Sequence, residues 1–89
     1  MKAVITVVGK DSVGILAKVS AACSKFNINI AEVSQSVLSD MFCMIMVSEI
    51  DQMQGEFGDF ADYMKNMGNE MGMSIHVMHE DIFNSMHNI

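Results

Sequence analysis

The sequence predicts an α+β fold of the ferredoxin-like βαββαβ type, an antiparallel four-stranded sheet with two helices on one face. Two nearly continuous apolar runs, Ala3–Val8 and Met41–Val47, are typical of central strands. Two other segments space their apolar residues as helices do, and two more alternate apolar and polar residues as half-exposed strands do. Right-handed crossovers between these elements give the strand order 4-1-3-2, which puts both apolar runs at the centre.

The first strand ends at Gly9, and a helix is predicted from Val13 or Gly14 to Phe26, with Asp11 or Ser12 as its N-cap. Its buried stripe is expected to contain Ile15, Leu16, Val19, Ala22, Cys23 and Phe26. The next segment, Asn29–Leu38, alternates as an edge strand does, and the turn Ser39-Asp40 joins it to the second apolar run as a hairpin.

A second helix is predicted from about Met53 to Met71, capped by Asp51 and followed by Gly72. The last strand is recognised by the alternation of Met73, Ile75 and Val77 with polar residues. Residues 1–80 would then form one domain. Residues 81–89 form a tail, predicted as a short helix that begins at Asp81 and carries Ile82, Phe83, Met86 and Ile89.

Both central strands are apolar on both faces, whereas the two helices can cover only one face of the sheet. Three methionines, Met44, Met46 and Met78, are candidates for the uncovered face. A chain of 89 residues also buries a modest share of its surface. We therefore expect a homodimer, with the tail helping to close the open face.

The composition of the chain disfavours nucleic acid and membranes as partners. The net charge is −6, and residues 45–89 hold one lysine against eight acidic residues, so the acidity lies in the second half. The chain has no arginine, which disfavours nucleic acid as a partner because binding it depends on neutralising phosphates. No segment is long and apolar enough for a membrane span, and no signal peptide is recognisable. We expect a cytoplasmic protein with no membrane partner.

The turn between the first strand and the first helix is the most informative segment. Gly9, Asp11, Ser12 and Gly14 lead into a helix N-terminus, whose unpaired N–H groups and positive dipole end suit a small anion such as a carboxylate. One helix length further on, the sequence Asn27-Ile28-Asn29-Ile30 opens the second strand.

These two motifs together resemble the signature of ACT domains, the amino-acid-sensing regulatory modules of many metabolic enzymes, over about residues 2–80. The chain is most similar to bacterial proteins that consist of a single ACT domain, and more distantly to the ACT repeats of the glycine-cleavage regulatory repressor. The resemblance implies paired domains and an amino acid or related carboxylate held between the turn and a neighbouring strand. The implied ligand-binding residues are Asp11, Ser12, Val13, Gly14, Ile15, Leu16, Asn29 and Ile30.

Other functions are less well supported by the sequence. A metal site at His76, His79, Glu80, Asp81 and His87 is disfavoured because His76 and His79 would point to opposite faces of a strand. Cys23 has no histidine nearby in sequence to act as a base, so we expect no catalytic residue, no cofactor and no enzyme activity. RNA binding would need more aromatic residues on the central strands than Phe42 alone. The alternative to sensing is a ligand-independent assembly module that docks a protein partner through the acidic second helix.

Overall fold

The computed structural model describes residues 1–10 and 13–86. The elements follow one another as β1 (Lys2–Lys10), α1 (Ile15–Lys25), β2 (Asn29–Leu38), β3 (Met41–Glu49), α2 (Phe57–Met71), β4 (Met73–His79) and α3 (Glu80–Met86). The four strands form one antiparallel sheet in the order β2-β3-β1-β4. The predicted ferredoxin-like architecture, including its strand order and a short C-terminal helix, is confirmed.

The core lies between the two long helices and one face of the sheet. Alternate residues of the central strands, among them Ile5, Val7 and Met46, are buried against α1 and α2. The buried Ser48 donates its hydroxyl hydrogen to the carbonyl oxygen of Ala3 at 3.0 Å, so burial leaves this polar group paired. Met44 and Met46 belong to this core, so their assignment to the open face was wrong and only Met78 lies on that face.

The first helix begins at Ile15, with Gly14 as its N-cap in the left-handed conformation at φ 86° and no side-chain cap. The expectation that Asp11 or Ser12 caps this helix was therefore wrong, and both residues lie outside the described part of the chain. At its other end α1 closes with a Schellman motif: Asn27 adopts φ 57°, and the amides of Asn27 and Ile28 donate to the carbonyl oxygens of Ser24 and Cys23.

The second helix begins at Phe57, one turn later than predicted, and its N-cap is Glu56. Asp51 does not cap it, since it lies before the N-cap Glu56 in the sequence. Its carboxylate pairs instead with the α-amino group of Met1. The loop before Glu56 is not helical. The Gln54 amide donates to the Phe26 carbonyl oxygen at 2.9 Å, and Gly55 adopts a left-handed φ of 92°. Neither interaction can be recognised from local periodicity, which explains the misplaced start.

The C-terminal helix α3 packs across one half of the sheet face that α1 and α2 leave uncovered, where it contacts β1 and β4. On this face Val4 is only 2% exposed, whereas Val8 and Ile45 are 40% and 43% exposed. The prediction that the tail helps to close the open face is thus met within one chain, and the closure is incomplete. The last residue of the predicted tail helix, Ile89, lies outside the described residues.

Candidate functional site

The predicted ligand-binding residues fall into two groups at opposite ends of the sheet. Gly14 and Ile15 follow the end of β1, where Lys10 pairs with Met41 and Met41 pairs with Leu38. Asn29 begins β2 at the other end and pairs with Glu49, itself the partner of Lys2. The strands between these ends span roughly 25–30 Å. A single chain therefore does not bring the two groups together.

The first group forms the exposed N-terminus of α1. Val13 is fully exposed and Leu16 is 40% exposed, so the side chain of Leu16 does not belong to the core as predicted. Ile15 is buried and anchors the first turn in the core. No acidic residue occupies the first turn of the helix. Such an end presents amide donors and a positive dipole, which favour an anion.

Gly14 is required at this junction because its φ of 86° lies in the left-handed region that residues with a Cβ atom rarely adopt. Among the described residues, a Cβ atom built on Gly14 would meet nothing within 4 Å. No described residue therefore crowds the Gly14 side of the first turn. The other two residues implied here, Asp11 and Ser12, lie outside the described part of the chain.

The second group lies beside a polar cavity of about 480 Å³ between the C-terminal half of α1 and the start of β2. We call it the β2 cavity, and Asn29 and Ile30 both line it. The remaining lining residues are Ser20, Ser24, Asn27, Ile28 and Gln52. A smaller cavity of about 280 Å³ shares Asn27, Asn29 and Gln52 and adds the carboxylates of Glu49 and Asp51.

Hydrogen bonds hold the two asparagines of the β2 cavity in place. Asn29 Nδ2 donates to Glu49 Oε1 at 2.7 Å, and Asn27 Nδ2 donates to the carbonyl oxygen of Gln52 at 2.9 Å. The Asn29 amide and the Glu49 carboxylate together suit a cation such as an ammonium group. Glu49 and Gln52 were not recognised from the sequence, because their proximity to Asn29 depends on strand register and on the loop after β3.

The remaining polar candidates do not assemble into a site. His79 stacks on Phe57 with ring centroids 4.2 Å apart, whereas His76 lies on the opposite sheet face with its Nε2 3.2 Å from the Ser74 hydroxyl. Within residues 1–10 and 13–86, no group of three potential metal ligands is found. Burial raises the pKa of the Cys23 thiol to about 11, which keeps it protonated and unreactive at neutral pH. None of the helices among those residues is long and apolar enough to cross a membrane.

The ferredoxin-like fold is shared by many protein families, and comparison with known proteins shows to which of them this chain belongs. The ACT domain family matches residues 2–78. A UPF0237 protein of Listeria innocua is 43% identical over 89 residues and is covered completely, as is this chain. A UPF0237 protein of Methanopyrus kandleri is 35% identical over 88 residues, covering 99% of this chain and 98% of the relative. The chain therefore belongs to the ACT domain family, among the UPF0237 proteins.

Solved structures support the same assignment. An ACT domain protein from Streptococcus pneumoniae superposes with a TM-score of 0.81 at 36% identity, covering 93% of each chain. A putative glycine cleavage system transcriptional repressor matches with a TM-score of 0.69 at 19% identity, covering 85% of this chain and 43% of that one. At that identity the repressor shows a shared fold alone. The predicted family and the more distant similarity are confirmed.

Proposed function

We propose that this protein is a cytoplasmic, non-enzymatic regulator that binds an amino acid or a related small carboxylate. The observation that carries the proposal is the exposed N-terminus of α1, where Gly14 is the N-cap, Val13 is fully exposed and no acidic residue occupies the first turn. The first-turn amides would bind the ligand carboxylate. The Asn29 amide and the Glu49 carboxylate would bind its ammonium group.

Because the two groups lie at opposite ends of one chain, the complete site needs a homodimer. β2 is an edge strand of ten residues, and its side chains Val33, Val37 and Leu38 are 43%, 53% and 77% exposed. An exposed edge of this length is a template for pairing with a second chain. Two copies of β2 paired antiparallel about a two-fold axis would place each Asn29 next to the Leu38 end of the partner strand.

The position of α1 makes this pairing productive. α1 packs next to β2, and its N-terminus points towards the Leu38 end of that strand. In the paired arrangement, the N-terminus of α1 in one chain would therefore face the β2 cavity of its partner. Each dimer would hold two such sites, one at either end of the shared strand pair. Ligand binding and assembly would then be linked, each favouring the other.

Thermal unfolding of the intact protein against each of the twenty standard amino acids at millimolar concentration tests the proposal. We expect at least one ligand to raise the Tm, by an amount that grows with its concentration. Asn29→Ala should abolish that increase, whereas Asn66→Ala, a matched change on the distant α2 helix, should leave it intact. A panel with no response would contradict sensing and favour a ligand-independent assembly module.

A further inference from the structure

The open face of the sheet carries a second cavity, which the proposed amino-acid site does not use. It has a volume of about 450 Å³ and lies between α3 and the exposed halves of β1, β3 and β4. We call it the α3 cavity. Its apolar walls include Val8, Ile45, Phe83 and Met86. A volume of this size is typical of sites for small organic molecules.

The α3 cavity contains few polar groups. Thr6 and His76, which face each other across β1 and β4, contribute a hydroxyl and an imidazole to the floor. In the part of the chain that the structure describes, no aspartate, glutamate or lysine lines this cavity. The Thr6 hydroxyl and the His76 imidazole can each donate a hydrogen bond to an acidic head group, which no lining carboxylate repels, whereas an ammonium group would find no anionic partner in the lining.

The walls can adapt to the occupant. α3 is seven residues long and buries none of its side chains fully. Met78 and Met86 line the α3 cavity, and methionine side chains are flexible enough to repack around ligands of different shape. The α3 cavity therefore suits several related ligands with apolar chains of different shape better than a single rigid molecule.

From these features we infer that the α3 cavity binds a small monocarboxylic acid with an apolar body. The hydrocarbon would lie against Val8, Ile45 and Phe83. The carboxylate would accept hydrogen bonds from the Thr6 hydroxyl and from the ring nitrogen of His76 that does not face the Ser74 hydroxyl. The α3 cavity is separate from the β2 edge, so ligand binding in it can be tested independently of amino-acid binding. A bound acid would also fasten α3 to the sheet.

Calorimetric titration of the full-length protein with the straight-chain acids from butanoate to decanoate tests the inference. Affinity should rise about fourfold for each added methylene until the cavity is filled and then level off. 1-Octanol should bind more weakly than octanoate, and octylamine should bind more weakly still. Failure to reach saturation with any acid, or a preference for the amine, would overturn the proposal.

Two isoleucine variants separate the α3 cavity from general surface binding. Ile45 lines the cavity and is 43% exposed, whereas Ile82 is 53% exposed on α3 and does not line it. Ile45→Gln should weaken octanoate binding about tenfold, and Ile82→Gln should change it less than twofold. Equal losses in both variants would contradict a defined cavity. If Ile45→Gln does not fold, Val8→Gln on the neighbouring strand makes the same test.

A third variant tests the head-group assignment. His76→Phe should weaken octanoate binding about tenfold and change 1-octanol binding much less, because a phenyl ring cannot donate a hydrogen bond to the carboxylate and the loss is larger for a charged ligand. Equal effects on acid and alcohol would overturn the assignment of a carboxylate. Sedimentation of the wild-type protein and of Ile45→Gln, both without ligand, measures whether a second copy of the chain covers this face. If Ile45→Gln dissociates an assembly and octanoate does not bind, a second copy covers this face and the inference fails.

Discussion

At the scale of single residues, three glycines illustrate what the backbone demands. Gly14 is needed for its left-handed φ, and no neighbour crowds it. Gly68 is needed for space, because a Cβ atom there would lie 2.8 Å from the Met73 carbonyl oxygen and from Ile75 Cγ1. Gly58, in the same helix as Gly68, meets neither requirement. From the sequence alone, Gly58 and Gly68 both lower the helix propensity of α2, and the difference between them cannot be recognised.

Alanine substitutions at the two α2 glycines should therefore have opposite effects on stability. Gly68→Ala forces α2 away from β4 and should lower the free energy of unfolding by about 1–3 kcal/mol. Gly58→Ala removes chain entropy from the unfolded state without a clash and should raise it by about 0.5–1 kcal/mol. Urea denaturation measures both variants. A stable Gly68→Ala would contradict the close packing of α2 on β4.

The buried Cys23 thiol predicts a loss of stability in alkali. Its pKa is raised from 9.0 to about 11 by burial, so the unfolded chain releases this proton at a lower pH than the folded protein. The contribution is fully present below pH 9 and is lost as the pH rises towards 11, by on the order of 2 kcal/mol. Urea denaturation across this range should show a steeper decline for wild type than for Cys23→Ala. Parallel declines would contradict a buried thiol.

At the scale of elements, the sequence predicts most of the fold and fails where distant contacts decide. The central strands and the edge hairpin follow from local apolar patterns, which is why β1, β3 and the strand order agree with expectation. α2 starts at Phe57, after a loop that makes contacts distant in sequence, among them the ion pair of Asp51 with Met1, 50 positions away. The position of Met46 depends on which face of β3 meets the helices, which an apolar run does not show.

The candidate site shows the same division. The turn around Gly14 and the position of Asn29 were recognised as motifs, and the first helix does start directly after Gly14. Their separation at opposite ends of the sheet could not be recognised, because it follows from the strand order and the direction of α1. The pairing of Asn29 with Glu49 is likewise a property of strand register.

The exposed β2 edge gives a prediction about assembly. Val37 on β2 and Ile82 on α3 are both 53% exposed, so lysine should be tolerated at either position by a single folded chain. Val37→Lys should weaken the homodimer, because a charged edge opposes strand pairing between two chains. Ile82→Lys should leave it intact. Sedimentation velocity at several concentrations measures the effect, and an unaffected Val37→Lys dimer would place the interface elsewhere.

The whole molecule has a sheet with one half-covered face and two groups of candidate ligand-binding residues at opposite ends of that sheet. The open half of the sheet and the free β2 edge are surfaces that one chain of 89 residues does not cover. The acidic second half lowers the tendency of the chain to bind polyanions. Regulation by such a molecule would act through the linkage between ligand binding and assembly.

In the proposed homodimer, each amino-acid site contains one part from each of two chains. Mixing two variants, each defective in a different part of the site, tests this arrangement. Val13→Glu damages the turn part of the site, because it places a negative charge beside the amides that would bind the ligand carboxylate, and Asn29→Ala damages the β2 part. After dissociation and reassociation of an equal mixture, half of the dimers should contain both variants, and each of these should hold one intact site. For the amino acid that most stabilises wild type, calorimetry should then show about a quarter of the wild-type number of sites, although neither variant binds alone. A mixture that stays as inactive as its components, despite verified exchange of chains, would contradict the account.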